Sequence, residues 1–240
     1  MKKIISSIIS SAIVCCFLIV FVASNVFATT IEIKSNLNKL TDIIIENALK
    51  NPTIVMSSNP YDYINNQYYD KIVDLGSKAL PVIKKEIEKS KENGLREYIL
   101  AIAAEEIVKV NLKEGRDSKT RWASAKDFVP QWHEYLISIP NNVKQVVSSN
   151  ISNQEKIEKL IKFGKPAIPF IMDEIESGNE EIGMALDELT KDNENIIVTK
   201  SSGNYTFTNE EIDYKEFVKI NKDKFNDFRD LVNNEINSEN

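Results

Sequence analysis

The single histidine limits the chemistry that this chain supports. His133 lies in Trp132-His133-Glu134, and the two cysteines, Cys15 and Cys16, fall in an N-terminal apolar run that we interpret below as an export signal. A zinc site of the usual kind needs several nitrogen or sulfur ligands, which the rest of the chain lacks. No serine has the glycine-flanked context of a hydrolase nucleophile, so we expect His133 to be a surface or packing residue. The sequence therefore predicts no catalytic residue, no metal site and no cofactor.

Carboxylates are abundant, but their spacing is typical of exposed helices. Glu105 with Glu106, and the acidic residues at 173–176, are candidates for acid/base work across a cleft. Charged residues at such positions are equally expected on a solvated helix face, and no sequence feature argues for a raised pKa. We expect these side chains to be exposed. A hydrolase that pairs Glu134 with an acid of the second half remains an alternative.

Aromatic residues are the better candidates for a binding site. They cluster in the segments that connect the repeated parts described below, in both halves of the chain. Aromatic side chains contribute mainly by burial, so we favour a role in packing these segments. If they are instead exposed on a concave face, they offer a platform for a peptide or a sugar. The binding candidates are Tyr61, Tyr63, Trp122, Trp132 and Tyr205.

The N-terminus has the pattern of an export signal. Met1-Lys2-Lys3 precedes an apolar run at 4–22, and Val26-Phe27-Ala28 supplies small residues at the two positions that a signal peptidase reads. Cleavage after Ala28 would leave 240 − 28 = 212 residues. The alternative is an uncleaved anchor, because the run approaches the roughly 20 residues that span a bilayer. Serines within the run favour cleavage, and we predict a protein secreted or associated with the cell envelope.

The composition of the exported chain argues against some classes of binding partner. Without Lys2 and Lys3 the formal charge is 28 − 36 = −8, which disfavours nucleic acid. Basic residues at 109–126 are interleaved with acids, as in a solvated connector. The mature chain has no cysteine, so its stability depends on a hydrophobic core. The abundance of Lys, Asn and Ile suggests a Gram-positive bacterium with an AT-rich genome.

One segment of the chain occurs twice. The sequence at 75–88, LGSKALPVIKKEIE, returns at 163–176 as FGKPAIPFIMDEIE, an offset of 88 positions. The match covers glycine, alanine, proline and several apolar positions, and neighbouring segments align at similar offsets. Duplication of one structural unit is the best explanation. We place the two units at 53–140 and 141–233.

Helical periodicity dominates both units. Ala79, Val82, Ile83 and Ile87 follow the spacing of an amphipathic helix, and the next helix is apolar nearly all round at 99–104. Gly76 and Gly164 are predicted to end the preceding helix in the left-handed conformation. Pro81 and Pro169 then belong to the first turn of the following helix, where no N–H bond is lost. Only the region 196–208 has the pattern of a small β-hairpin.

The repeated motif resembles HEAT-like repeats. LGSKALP at 75–81 and FGKPAIP at 163–169 are similar to the turn and second-helix start of that class, also seen in phycobilisome lyases. The resemblance covers about 30 to 40 residues of each unit and implies an α-solenoid of paired helices, commonly a protein-binding scaffold. It brings no catalytic residue with it.

These observations predict an all-α protein, a short HEAT-like α-solenoid made of two duplicated units. Its segments are a signal peptide at 1–28, an N-terminal capping helix region at 29–52, the two units, and a disordered tail at 234–240. The predicted function is non-enzymatic recognition of a protein or peptide, without nucleic acid, and with a membrane only through an uncleaved N-terminus. An acidic regulatory or immunity-type inhibitor of a basic partner is a further alternative. The sequence does not define an oligomeric state.

Overall fold

A computed structural model describes residues 2–50, 57, 59–113, 121–193, 196–197 and 212–238, with side chains from residue 26 onward. Two compact units divide the chain, Met1–Ala104 and Glu105–Asn240. The described residues form α-helices and short 3-10 helices and contain no β-strand, which confirms the all-α prediction for this part of the protein. Only Ile196 and Ile197 of the predicted hairpin at 196–208 are described, so the hairpin itself lies outside the described residues.

The first unit is built on a long N-terminal helix. Its helices are α1 (Lys2–Lys50), α2 (Gln67–Val73), α3 (Leu80–Lys89) and most of α4 (Leu95–Val108). α1 packs against α2 and α3. Among the described side chains of α1, the apolar residues Ile33, Leu37 and Leu40 are buried, and they recur at helical spacing on one face. The predicted capping helix at 29–52 is thus the second half of a helix that begins near the N-terminus.

The described residues of the second unit form six further helices. They are α5 (Ala125–Ser148), α6 (Asn153–Ile161), α7 (Ile168–Glu176), α8 (Met184–Thr190), α9 (Tyr214–Asn221) and α10 (Asn226–Asn237). α5 contacts α6, α7 and α10, and α7 contacts α8, α9 and α10. α5 remains one helix of 24 residues although it contains Pro130 and Pro140. Its buried face includes Phe128, Trp132 and Leu136.

The repeated motif folds in the same way in both units. Gly76 and Gly164 have φ angles of +60° and +67°, the left-handed region that glycine enters without strain. A 3-10 turn follows each glycine and leads into α3 or α7. Pro81 and Pro169 lie in the first turn of these helices, as predicted. The four apolar positions predicted to form the buried stripe of α3 are all buried.

The correspondence between the two copies extends to the helices that follow the repeated motif. α4 and α8 begin 89 positions apart, at Leu95 and Met184. The N-cap residues of α5 and α9, Ser124 and Asp213, are also 89 apart, and each accepts a hydrogen bond from the backbone N–H three residues later. This order of helices supports the duplication at the level of local structure.

The C-terminal part of the second unit forms two helices separated by a short turn. The chain forms α9, a 3-10 turn at Lys222–Phe225, and α10. The buried side chain of Asn221 bonds the carbonyl of Phe217 and both backbone groups of Ile197. We attribute the break to these bonds, because an Asn side chain that bonds the backbone competes with the regular helical pattern. α10 also continues to Asn237, into the predicted tail at 234–240.

In the part of the chain whose side chains the structure describes, no helix combines the length and apolarity needed to cross a bilayer.

Candidate functional site

An open cleft lies in the second unit. It has a volume of about 670 Å³ and is bordered by the segment that follows α4, by α5, and by the turn that follows α6. On α5 the lining positions recur at intervals of three and four residues. They therefore form one face over about two turns of helix. The lining residues are Val110, Asn111, Leu112, Glu134, Tyr135, Ile137, Ser138, Asn141, Asn142, Lys162 and Phe163.

The cleft combines adaptable polar groups with apolar surface. Asn142 donates to the Ser138 hydroxyl (3.1 Å), which in turn donates to the carbonyl of Tyr135 (2.8 Å). Asn141 is exposed, and Ile137 and Phe163 are half-buried beside these groups. An Asn side chain offers both a donor and an acceptor, as a peptide group does. The surface is therefore suited to hydrogen-bond an uncharged polar backbone.

One hydrogen bond joins two walls of the cleft. The Tyr135 hydroxyl donates to the carbonyl of Phe163 at 2.7 Å, which links α5 to the residue before Gly164. Burial raises the pKa of Tyr135 well above its usual value, so the hydroxyl stays protonated and able to donate.

Removing this bond should weaken the unit measurably. We expect Tyr135→Phe to lower the free energy of unfolding by about 1 kcal/mol, the usual net contribution of one hydrogen bond. The aromatic ring and its packing are retained, so the loss reports the hydroxyl alone. Urea unfolding followed by tryptophan fluorescence measures it. An unchanged midpoint would show that the bond contributes no net stability.

A buried carboxylate bonds the segment that follows α4, which forms one wall of the cleft. Glu105 is only 6% exposed, and its Oε1 accepts from the Trp122 indole N–H (2.9 Å) and the Leu112 backbone N–H (2.8 Å). Burial is the main reason that the pKa of Glu105 is raised. The sequence pattern predicted that Glu105 and Glu106 are both exposed on a solvated face, and for Glu105 this prediction was wrong. Periodicity on α4 could not show that the segment after the helix folds back to cover it.

The aromatic binding candidates have different surroundings. Trp122 and Trp132 are each 1% exposed, and both pack on Phe128 with ring centroids 5.4 and 5.3 Å apart. In this conformation they offer no surface to a ligand, which agrees with the packing role favoured above. Tyr61 is 47% exposed, and Tyr63 is half-buried with its hydroxyl donating to the carbonyl of Ser57. Tyr205 lies outside the described residues.

His133 has a carboxylate partner that the sequence did not reveal. Its Nδ1 lies 2.7 Å from Oε2 of Glu235, a buried residue of α10 that is 102 positions away. The pair joins α5 to α10 inside the second unit, in keeping with a packing role for this histidine. Glu134, the nominal acid of the hydrolase alternative, is exposed, and it is the one carboxylate among the described residues that line the cleft.

The first unit has a smaller groove between α1 and the α3–α4 region. It measures about 490 Å³, and its floor includes the buried residues Ile33, Leu37 and Leu100. Several of its charged groups already have partners within the unit: Arg96 donates to Thr41 and Asn38, and Lys34 pairs with Glu86 at 3.1 Å. We therefore regard the cleft of the second unit as the stronger candidate site.

Within the described ranges, no group of three or more His, Cys, Asp or Glu residues is placed to hold a metal ion. Comparisons of the chain with protein-family profiles, characterised proteins and solved structures found no match.

Proposed function

We propose that this chain is an exported, non-enzymatic HEAT-like binding protein that recognises a short extended peptide segment of a protein partner through the cleft on α5. The observation that carries the proposal is the row of Ser138, Asn141 and Asn142 beside apolar Ile137 and Phe163. The matching order of helices in the two copies of the repeated sequence supports a HEAT-like origin, and with it a short α-solenoid.

The size of the cleft favours an extended peptide. The lining positions on α5 run from Glu134 to Asn142, a rise of about 12 Å along a helix. An extended chain advances about 3.3 Å per residue, so some four residues would span this face. Asn and Ser side chains can pair with the peptide N–H and C=O groups, and the apolar neighbours can hold one or two side chains.

Selection from a displayed library of random peptides tests the proposal. The bait is the chain purified after export, and the affinity of a selected peptide is then measured by calorimetry. We expect the double variant Asn141→Ala, Asn142→Ala to weaken binding about tenfold or more, because each lost hydrogen bond contributes about 0.5–1.5 kcal/mol.

A matched control separates the cleft from the rest of the helix. Gln145 is exposed on α5 and does not line the cleft, so Gln145→Ala should leave the affinity unchanged. Equal losses for the two variants, or no selectable peptide, would contradict the proposal. If the Asn variants do not change the affinity but added salt strongly lowers it, the result would instead favour the acidic inhibitor. Peptide cleavage that Glu134→Gln abolishes would favour the hydrolase.

A further inference from the structure

The N-terminal helix has two parts with different relations to the protein core. Val26, Phe27 and Ala28 are exposed, with Phe27 67% exposed, and the first buried side chain among those described is Ile33. From there α1 belongs to the first unit, since Leu37 and Leu40 are also buried and Lys34 pairs with Glu86 on α3. The helix can therefore lose everything before residue 29 without loss of a described buried side chain.

The sequence immediately after Ala28 also contains a helix start. Thr29-Thr30-Ile31-Glu32 has the Thr and Glu spacing of a capping box, in which each side chain satisfies a free backbone N–H. In the uncleaved chain these two side chains do not cap a helix, because residues 26–32 lie within α1. There Thr30 donates to the carbonyl of Val26. The capping box can form only if the chain begins at Thr29.

We propose that Thr29 and Glu32 cap the new end of α1 once the chain has been cleaved at the Ala28–Thr29 bond, the processing site predicted from the sequence. A signal peptidase of the exporting host adds water across this amide, which leaves a carboxylate on Ala28 and an ammonium on Thr29. That ammonium is unfavourable at the positive end of a helix, and the nearby Glu32 carboxylate offsets it. Local unwinding of 26–32 gives the peptidase access and exposes no core side chain.

The first test is the identity of the mature N-terminus. The full chain is expressed in a secreting Gram-positive host, and the exported protein is analysed by intact mass and N-terminal sequencing. We expect a chain that begins at Thr29. Ala28→Tyr should reduce this product at least tenfold, because the peptidase requires a small residue before the bond. Phe27→Tyr changes the neighbouring exposed position, which is not read, and should be processed normally. A retained N-terminus or a different first residue would overturn the proposal.

The second test compares the change in Tm that one substitution causes in two forms of the protein, the processed chain and the intact chain. In the processed chain Thr29→Ala removes the N-cap, and we expect Tm to fall by about 2–4 °C. In the chain kept intact by Ala28→Tyr, residue 29 is inside a helix, where alanine is the better helix former, so Tm should stay the same or rise. Both forms are measured by circular dichroism in the same mild detergent. The same effect in both forms would refute the capping role. Both tests are independent of the peptide cleft, so they and the proposed function can fail separately.

Discussion

Replacing Gly164 by alanine should strongly destabilise the second unit, by roughly 2–5 kcal/mol. An added Cβ would lie 2.3 Å from the carbonyl oxygen of Val108 and 2.4 Å from Cγ1 of Val110. The oxygen belongs to the backbone, so the clash cannot be relieved by rotating a side chain. The backbone of Gly164, with φ +67° and ψ −172°, lies in a region that residues with a Cβ rarely adopt, which adds about 1–2 kcal/mol. Relief of the overlap would move the turn that joins α6 to α7, and overpacking of this kind costs about 1–3 kcal/mol more.

Gly76 provides the matched control. It occupies the same place in the first unit at φ +60°, but an added Cβ would meet no atom within 4 Å. Gly76→Ala should therefore cost only the backbone term, about 1–2 kcal/mol.

Two probes can follow the two units in one titration. Both tryptophans of the chain, Trp122 and Trp132, lie in the second unit, so their fluorescence reports Gly164→Ala directly. Far-UV circular dichroism during urea unfolding reports both variants. Equal losses for the two glycines would show that the close approach to Val108 is not what makes Gly164 necessary.

The two glycine turns also show what sequence reasoning could predict. Glycine before a helix with proline in its first turn is a local signal, because it depends on the conformational limits of single residues. The Ser152–Glu155 capping spacing is local in the same way, and the structure contains that capping box. Helix starts, turns and the buried stripe of α3 could therefore be predicted without any knowledge of tertiary packing.

Interactions between distant segments could not be predicted in this way. Glu105 has an ordinary helical position, and its burial depends on Leu112 and Trp122 folding over it. The partner of His133 is 102 residues away, and nothing local marks it. The cleft has the same origin, since its walls come from three separate segments whose spacing is set by packing rather than by a motif.

Removing the Glu105 side chain should have the second large effect. In Glu105→Ala the Trp122 indole and the Leu112 amide lose their acceptor, and buried groups without a partner cost about 1–3 kcal/mol each. We expect a loss of about 2–4 kcal/mol and a red-shifted Trp122 emission as water reaches the indole. Glu106→Ala changes the exposed neighbour on the same helix, and its effect should stay within about 0.5 kcal/mol. Similar losses for the two variants would show that the buried acceptor is not required.

The charge of Glu105 can be separated from its hydrogen bonds by pH. Its pKa is raised above the ordinary 4.5, mainly by burial, so the folded chain binds this proton more tightly than the unfolded chain does. Stability from this group is then fully present below pH 4.5 and is lost as the pH rises through the folded pKa. Glu105→Gln keeps an acceptor oxygen but cannot ionise. We therefore expect wild type to gain stability relative to this variant between pH 7 and pH 4.5, measured by urea unfolding at each pH. A constant difference across that range would show that the carboxyl ionises equally easily in both states.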